Sequence, residues 1–127
     1  MSVRHVAVWI DRQEAKVFHV DPKGFDAKRI EAPHHHLTRK AEEQGHHAGG
    51  ERFFQDVAAA LKDADKILVV GPSSAKLDFL RHVLKHDHAL EARILGVETL
   101  DHPTDGQLAA YVRHYFHGED RLRGLVP

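Results

Sequence analysis

The chain has no cysteine, which excludes disulfide frameworks, thiolate metal centres and cysteine nucleophiles. Methionine and tryptophan occur once each and tyrosine twice, so the 7% aromatic content rests mainly on phenylalanine. No apolar run approaches the roughly 20 residues that a membrane-spanning helix needs. The opening Met1-Ser2-Val3-Arg4-His5 leads into a strand-like run and not into a secretory hydrophobic region. A cytoplasmic protein with no membrane partner is therefore expected. An excess of one charge sign is missing too, since 18 Lys and Arg stand against 19 Asp and Glu for a formal charge of -1. Bulk electrostatics announces no nucleic-acid partner, so any such contact must come from a local patch.

Histidine is what the chain has in excess: 13 of its 127 residues. Near pH 6.5 these imidazoles titrate, so the net sign of the molecule depends on pH. An apolar share of 42% beside 29% charged residues fits a single domain with a real core, spanning residues 1–127.

The apolar run at 3–10 stops at Asp11, and strand character resumes at 15–20, predicting a hairpin that turns at 11–13. Asp21-Pro22-Lys23-Gly24 marks a second turn, followed by a short third strand at 27–32. Residues 33–50 read as a long polar loop with little apolar content. In 51–64, Phe53, Phe54, Val57, Ala58 and Leu61 recur at helical spacing. Ile67-Leu68-Val69-Val70 is an uninterrupted run of the kind expected of a strand covered on both faces. The next helix, capped by Ser73 or Ser74 and ending near 86, has Leu77, Leu80, Val83 and Leu84 on its expected inner side. Asp78, Arg81, His82, Lys85 and His86 fall outside and Phe79 at the boundary. Ile94-Leu95-Gly96-Val97 supplies another strand, and Thr104 with Gln107 forms a capping box ahead of a helix lined by Leu108, Val112, Tyr115 and Phe116. Residues 118–127 read as a C-terminal tail. The element order is β-β-β-α-β-α-β-α, an α/β mixed sheet flanked by helices.

Several groups carry chemistry. In the polar loop, Arg39 and Lys40 suit phosphate, and His34, His35, His36, His46 and His47 add RNA contacts, more strongly when protonated. Glu42 and Glu43 oppose them. The imidazoles also suit metals: His34, His36 and His46 or His47 can converge if the loop bends. Asp78, His82 and His86, four residues apart in turn, follow one helix face. No short metal motif is matched, so no cofactor is expected beyond incidental zinc or nickel. At the strand-to-helix turn Gly71-Pro72-Ser73-Ser74-Ala75-Lys76, the hydroxyls of Ser73 and Ser74 and the ammonium of Lys76 offer an anion or RNA-backbone contact, without Walker spacing. Asp11, with Asp101 and Asp105, is a candidate set for two-metal phosphodiester cleavage, although Asp11 can equally satisfy turn amides. His102 beside Asp101 or Asp105 makes an acid–base pair without an evident nucleophile.

Val6-Ala7-Val8-Trp9-Ile10-Asp11, Glu14-Ala15-Lys16-Val17-Phe18, the segment from Ile67 through Lys76 and the passage through Gly96-Val97 resemble the middle domain of the archaeal and eukaryotic class-I release factor and of Pelota. The chain also resembles small bacterial proteins labelled translational machinery protein. The resemblance implies a ribonuclease-H-like sheet of five strands in the order 3-2-1-4-5, with the second strand antiparallel to its neighbours. It further implies that the connection before the first helix is functional, since in the release factor a Gly-Gly-Gln tip there promotes peptidyl-tRNA hydrolysis. The corresponding residues here are Gly49-Gly50-Glu51, and a carboxylate lacks the amide donor of Gln. The implied function is a noncatalytic translation-associated module that binds structured RNA or the ribosome. A protein-binding or homo-oligomeric scaffold is the second reading, and a metal-dependent nuclease the third.

Overall fold

A computed structural model describes residues 3–32 and 48–122. Strands β1 (His5–Ile10), β2 (Glu14–Asp21) and β3 (Gly24–Glu31) follow one another directly. Each turn opens with an aspartate whose carboxylate takes two backbone protons. Asp11 Oδ1 accepts from the N–H groups of Gln13 and Glu14, each at 2.8 Å. Asp21 Oδ1 accepts from Lys23 and Gly24, also at 2.8 Å. The second turn closes so tightly that Asp21 pairs with Gly24. β3 is thus eight residues long and begins ahead of the short 27–32 strand expected from the sequence.

The remaining elements are α1 (Ala48–Ala60), β4 (Lys66–Gly71), α2 (Ala75–His86), α3 (His88–Glu91), β5 (Ile94–Thr99) and α4 (Asp105–Leu122). The sheet order is β3-β2-β1-β4-β5, the order that the resemblance implied. β1 is antiparallel to β2 and parallel to β4, and β4 is parallel to β5. Period-two alternation explains why the central strands read as unbroken apolar runs. Val6, Val8 and Ile10 of β1 join Ile67 and Val69 under α1, α2 and α3. Ala7 and Trp9 join Leu68 and Val70 under α4. β3 is an exposed edge.

Two further boundaries and one buried face differ from the sequence-based expectation. Helix α1 begins at Ala48, so residues 48–50 belong to the helix and not to the polar loop. Helix α4 runs to Leu122, absorbing the first part of the expected tail at 118–127. Its last turns are held from a distance, with Lys66 Nζ donating to Asp120 at 2.5 Å and His5 stacked on Phe116 at 4.6 Å between centroids. These contacts outweigh the weak helix propensity of Gly118. Helix α2 is rotated relative to its expected inner face: Ala75, Lys76, Phe79 and Val83 are buried, while Leu77 and Leu84 are exposed.

Candidate functional site

The parallel strands β1, β4 and β5 all end on one side of the sheet, where ligands bind in open α/β folds. Gly71 makes their convergence possible. A methyl group in its place would run into the carbonyl oxygen of Ile10, so β4 passes the end of β1 only as glycine. This brings the Asp11 turn beside the loop 72–74, and Arg12 reaches across to donate to Ser74 Oγ at 2.9 Å. Sequence reasoning missed Arg12, whose only signal was its place in the turn after Asp11.

A cavity of about 250 Å3 opens at this rim, lined in part by Trp9, Asp11, Lys16, His102 and Asp105. That is below the roughly 300–1,000 Å3 of ordinary small-molecule pockets. Its polar groups are engaged with one another. Trp9 Nε1 donates to the Asp101 carbonyl at 2.8 Å, and Lys16 Nζ lies 3.2 Å from Asp105 Oδ1. His102 Nδ1 is 2.8 Å from Asp101 Oδ1, while its Nε2 is 4.0 Å from Asp11 Oδ2. The expected His102–Asp101 pair is thus present, but the cavity lining contains no Ser, Thr or Cys to act as nucleophile. Asp11, Asp101 and Asp105 do not form a convergent ligand group, because Asp105 turns to Lys16 and the Asp101 side chain is 93% exposed. The two-metal cleavage centre considered from the sequence is not assembled by this geometry.

The strand-to-helix turn also differs from the anion cradle expected of it. Lys76 is only 7% exposed, and its ammonium donates to the Ser73 carbonyl at 2.7 Å. Its stem packs inward as an aliphatic group, so the ammonium is held at the turn's own carbonyl and not presented to solvent. Ser73 Oγ accepts from the Ala75 N–H at 3.3 Å, and Ser74 occupies the N-cap without a side-chain capping bond. The Ser74 hydroxyl is spent on Arg12 instead.

On the opposite flank, the expected Asp78-His82-His86 series does not act as one set. Asp78 pairs with Arg81 at 3.0 Å. His82 and His86 turn to Glu51 of α1, with His86 Nε2 3.6 Å from Glu51 Oε1. Burial, then the neighbouring His86, lower the pKa of His82 below its ordinary value, with Glu51 opposing. Gly49, Gly50 and Glu51 lie in the first turns of α1, so the segment expected to resemble a release tip is helical. His34, His35, His36, Arg39, Lys40, His46 and His47 lie outside the described residues. Among the described residues, no helix is long and apolar enough to cross a membrane.

No family model matches the sequence, and no curated protein matches it. Solved structures do. Pelota from Archaeoglobus fulgidus aligns with a TM-score of 0.62 and 20% identity, over 94% of this chain and 34% of that one. A ribosome-bound archaeal Pelota aligns with a TM-score of 0.61 and 22% identity, over 94% of this chain and 34% of that one. An archaeal translation termination factor aligns with a TM-score of 0.54 and 11% identity, over 93% of this chain and 39% of that one. The chain therefore shares the fold of one domain of these factors and spans between a third and two fifths of their length.

Proposed function

We propose that this chain is a noncatalytic, translation-associated module that docks on RNA or on a ribosomal surface in the cytoplasm. The observation that carries the reading is the fold, aligned over 94% of the chain with a Pelota that is itself ribosome-bound. The contacts fall to the connection between β3 and α1, where the sequence gathers Arg39, Lys40, His34, His35, His36, His46 and His47. Arg12 and Ser74, exposed at the carboxyl rim of the sheet, are added as further contacts in place of the buried Lys76. Lys and Arg contacts to phosphate release counterions, so the affinity is expected to fall with salt.

Affinities for ribosomal subunits and structured RNA, measured between about 50 and 200 mM salt, test the reading. An Arg39→Ala, Lys40→Ala variant is expected to bind more weakly and to lose about one to two units of the log–log salt slope. Binding that ignores salt and survives the double change contradicts it. Magnesium-dependent RNA cleavage abolished by Asp11→Asn would replace it with a nuclease.

One observation favours a protein-binding or homo-oligomeric scaffold as a second reading. Leu77 and Leu84 of α2, 43% and 44% exposed, flank the half-buried Leu80 in an apolar stripe. Sedimentation equilibrium decides: a homo-oligomer that Leu77→Lys with Leu84→Lys dissociates, in a chain without RNA affinity, supports the scaffold.

A further inference from the structure

We infer that Glu51, His82 and His86 form a binding site for a divalent transition-metal ion that joins the first turn of α1 to the C-terminal half of α2. His82 and His86 stand four residues apart on one helix, the spacing that aims two imidazoles at a common ion. Their ring centroids are 4.6 Å apart at an interplanar angle of 42°. Glu51 supplies the third donor from the neighbouring helix, and one ligand atom from each residue lies within 4.8 Å of the others. In tetrahedral zinc sites, bonds of about 2.0–2.1 Å place donors roughly 3.4 Å apart. Closure around an ion thus needs side-chain adjustments of about an ångström or so, within the reach of rotamer relaxation.

The surroundings suit the task. Phe54 of α1 lies beside the His82 ring, 5.7 Å away between centroids and tilted by 52°. A carboxylate beside two imidazoles gives the site a negative group that attracts a dication. Asp78, the acid one turn earlier on α2, is withdrawn by Arg81, so the third ligand comes from α1 and not from the same helix. Nitrogen and carboxylate donors together favour zinc, nickel or copper over magnesium or calcium. The side chains of Glu51 and His86 are 56% and 43% exposed, which leaves the fourth position to solvent. A bound ion cross-links two helices and stabilises the native chain by mass action.

Zinc is the probe, and the histidine-rich connection must not mask it. Calorimetric titration and thermal melts are therefore run on the full chain with His34, His35, His36, His46 and His47 replaced by glutamine. One zinc per chain and a zinc-dependent rise in Tm are expected. His82→Ala or His86→Ala should weaken binding by at least about tenfold and abolish the rise, and Glu51→Gln should weaken binding in the same direction. His114→Ala, an exposed histidine on α4, should change neither quantity. Circular dichroism without zinc confirms that each variant is folded. Zinc binding that survives His82→Ala and His86→Ala, or that His114→Ala weakens equally, identifies an adventitious ion only and overturns the site.

Discussion

Asp11 and Asp21 bracket β2 and do the same work, each giving one carboxylate oxygen to two backbone N–H groups at 2.8 Å. This turn chemistry is local and was legible in Asp-Pro-Lys-Gly and in the break after Ile10. Asp11→Ala is expected to lower stability in urea by about 1–2 kcal/mol, with Asp11→Asn retaining most of it because Asn makes the same turn. His5 shows the opposite case, where no local signal exists. Its Nε2 is buried without a hydrogen bond, 3.5 Å from Asp120 Oδ2, and its ring stacks on Phe116. Burial lowers its pKa below 6.5, Asp120 and Asp65 oppose, and Lys66 adds to the lowering. The unfolded chain therefore takes up the proton first: the His5 contribution is complete above pH 6.5 and lost as pH falls below it. Urea stability measured from pH 7.5 down to 5.5 should fall more steeply in the native chain than in His5→Phe. Equal slopes would show that His5 contributes nothing to the pH dependence.

At the scale of elements, α2 shows what a binary pattern misses. Counting leucines as core and lysine as surface places Leu77 and Leu84 inside with Val83, yet only Val83 is buried as expected, while the boundary residue Phe79 is fully buried and Lys76 is nearly so. The pattern fails because a long lysine stem packs like an aliphatic group once its ammonium has a carbonyl partner. Phe79→Ala is expected to cost about 3–5 kcal/mol, and Leu77→Ala less than about 1 kcal/mol, in chemical denaturation. The packing of α4 on β5 turns on Gly96, where a methyl group would collide with the Tyr115 hydroxyl. Gly96→Ala should destabilise, and adding Tyr115→Phe, which deletes that hydroxyl, should recover part of the loss. A double-mutant cycle with no coupling would contradict the contact. Helix α3 went unforeseen because it is only four residues long and rests on one cap, Asp87 accepting from the Leu90 N–H at 3.0 Å.

For the molecule as a whole, the hairpin partners were legible from turn residues and the strands covered on both faces from their unbroken apolar runs, whereas the strand order came with the resemblance to the release-factor and Pelota middle domain. The site was less legible. Side chains distant in sequence, such as Arg12 with Ser74 or Glu51 with His86, meet only through the tertiary fold. Docking on the translation apparatus through the connection between β3 and α1 is read out by co-sedimentation with purified ribosomes at near-physiological salt and pH 8, where histidine is neutral. The native chain is expected to pellet with ribosomes and the Arg39→Ala, Lys40→Ala chain to stay largely in the supernatant. A native chain that remains in the supernatant, or a double variant that pellets equally well, would contradict it.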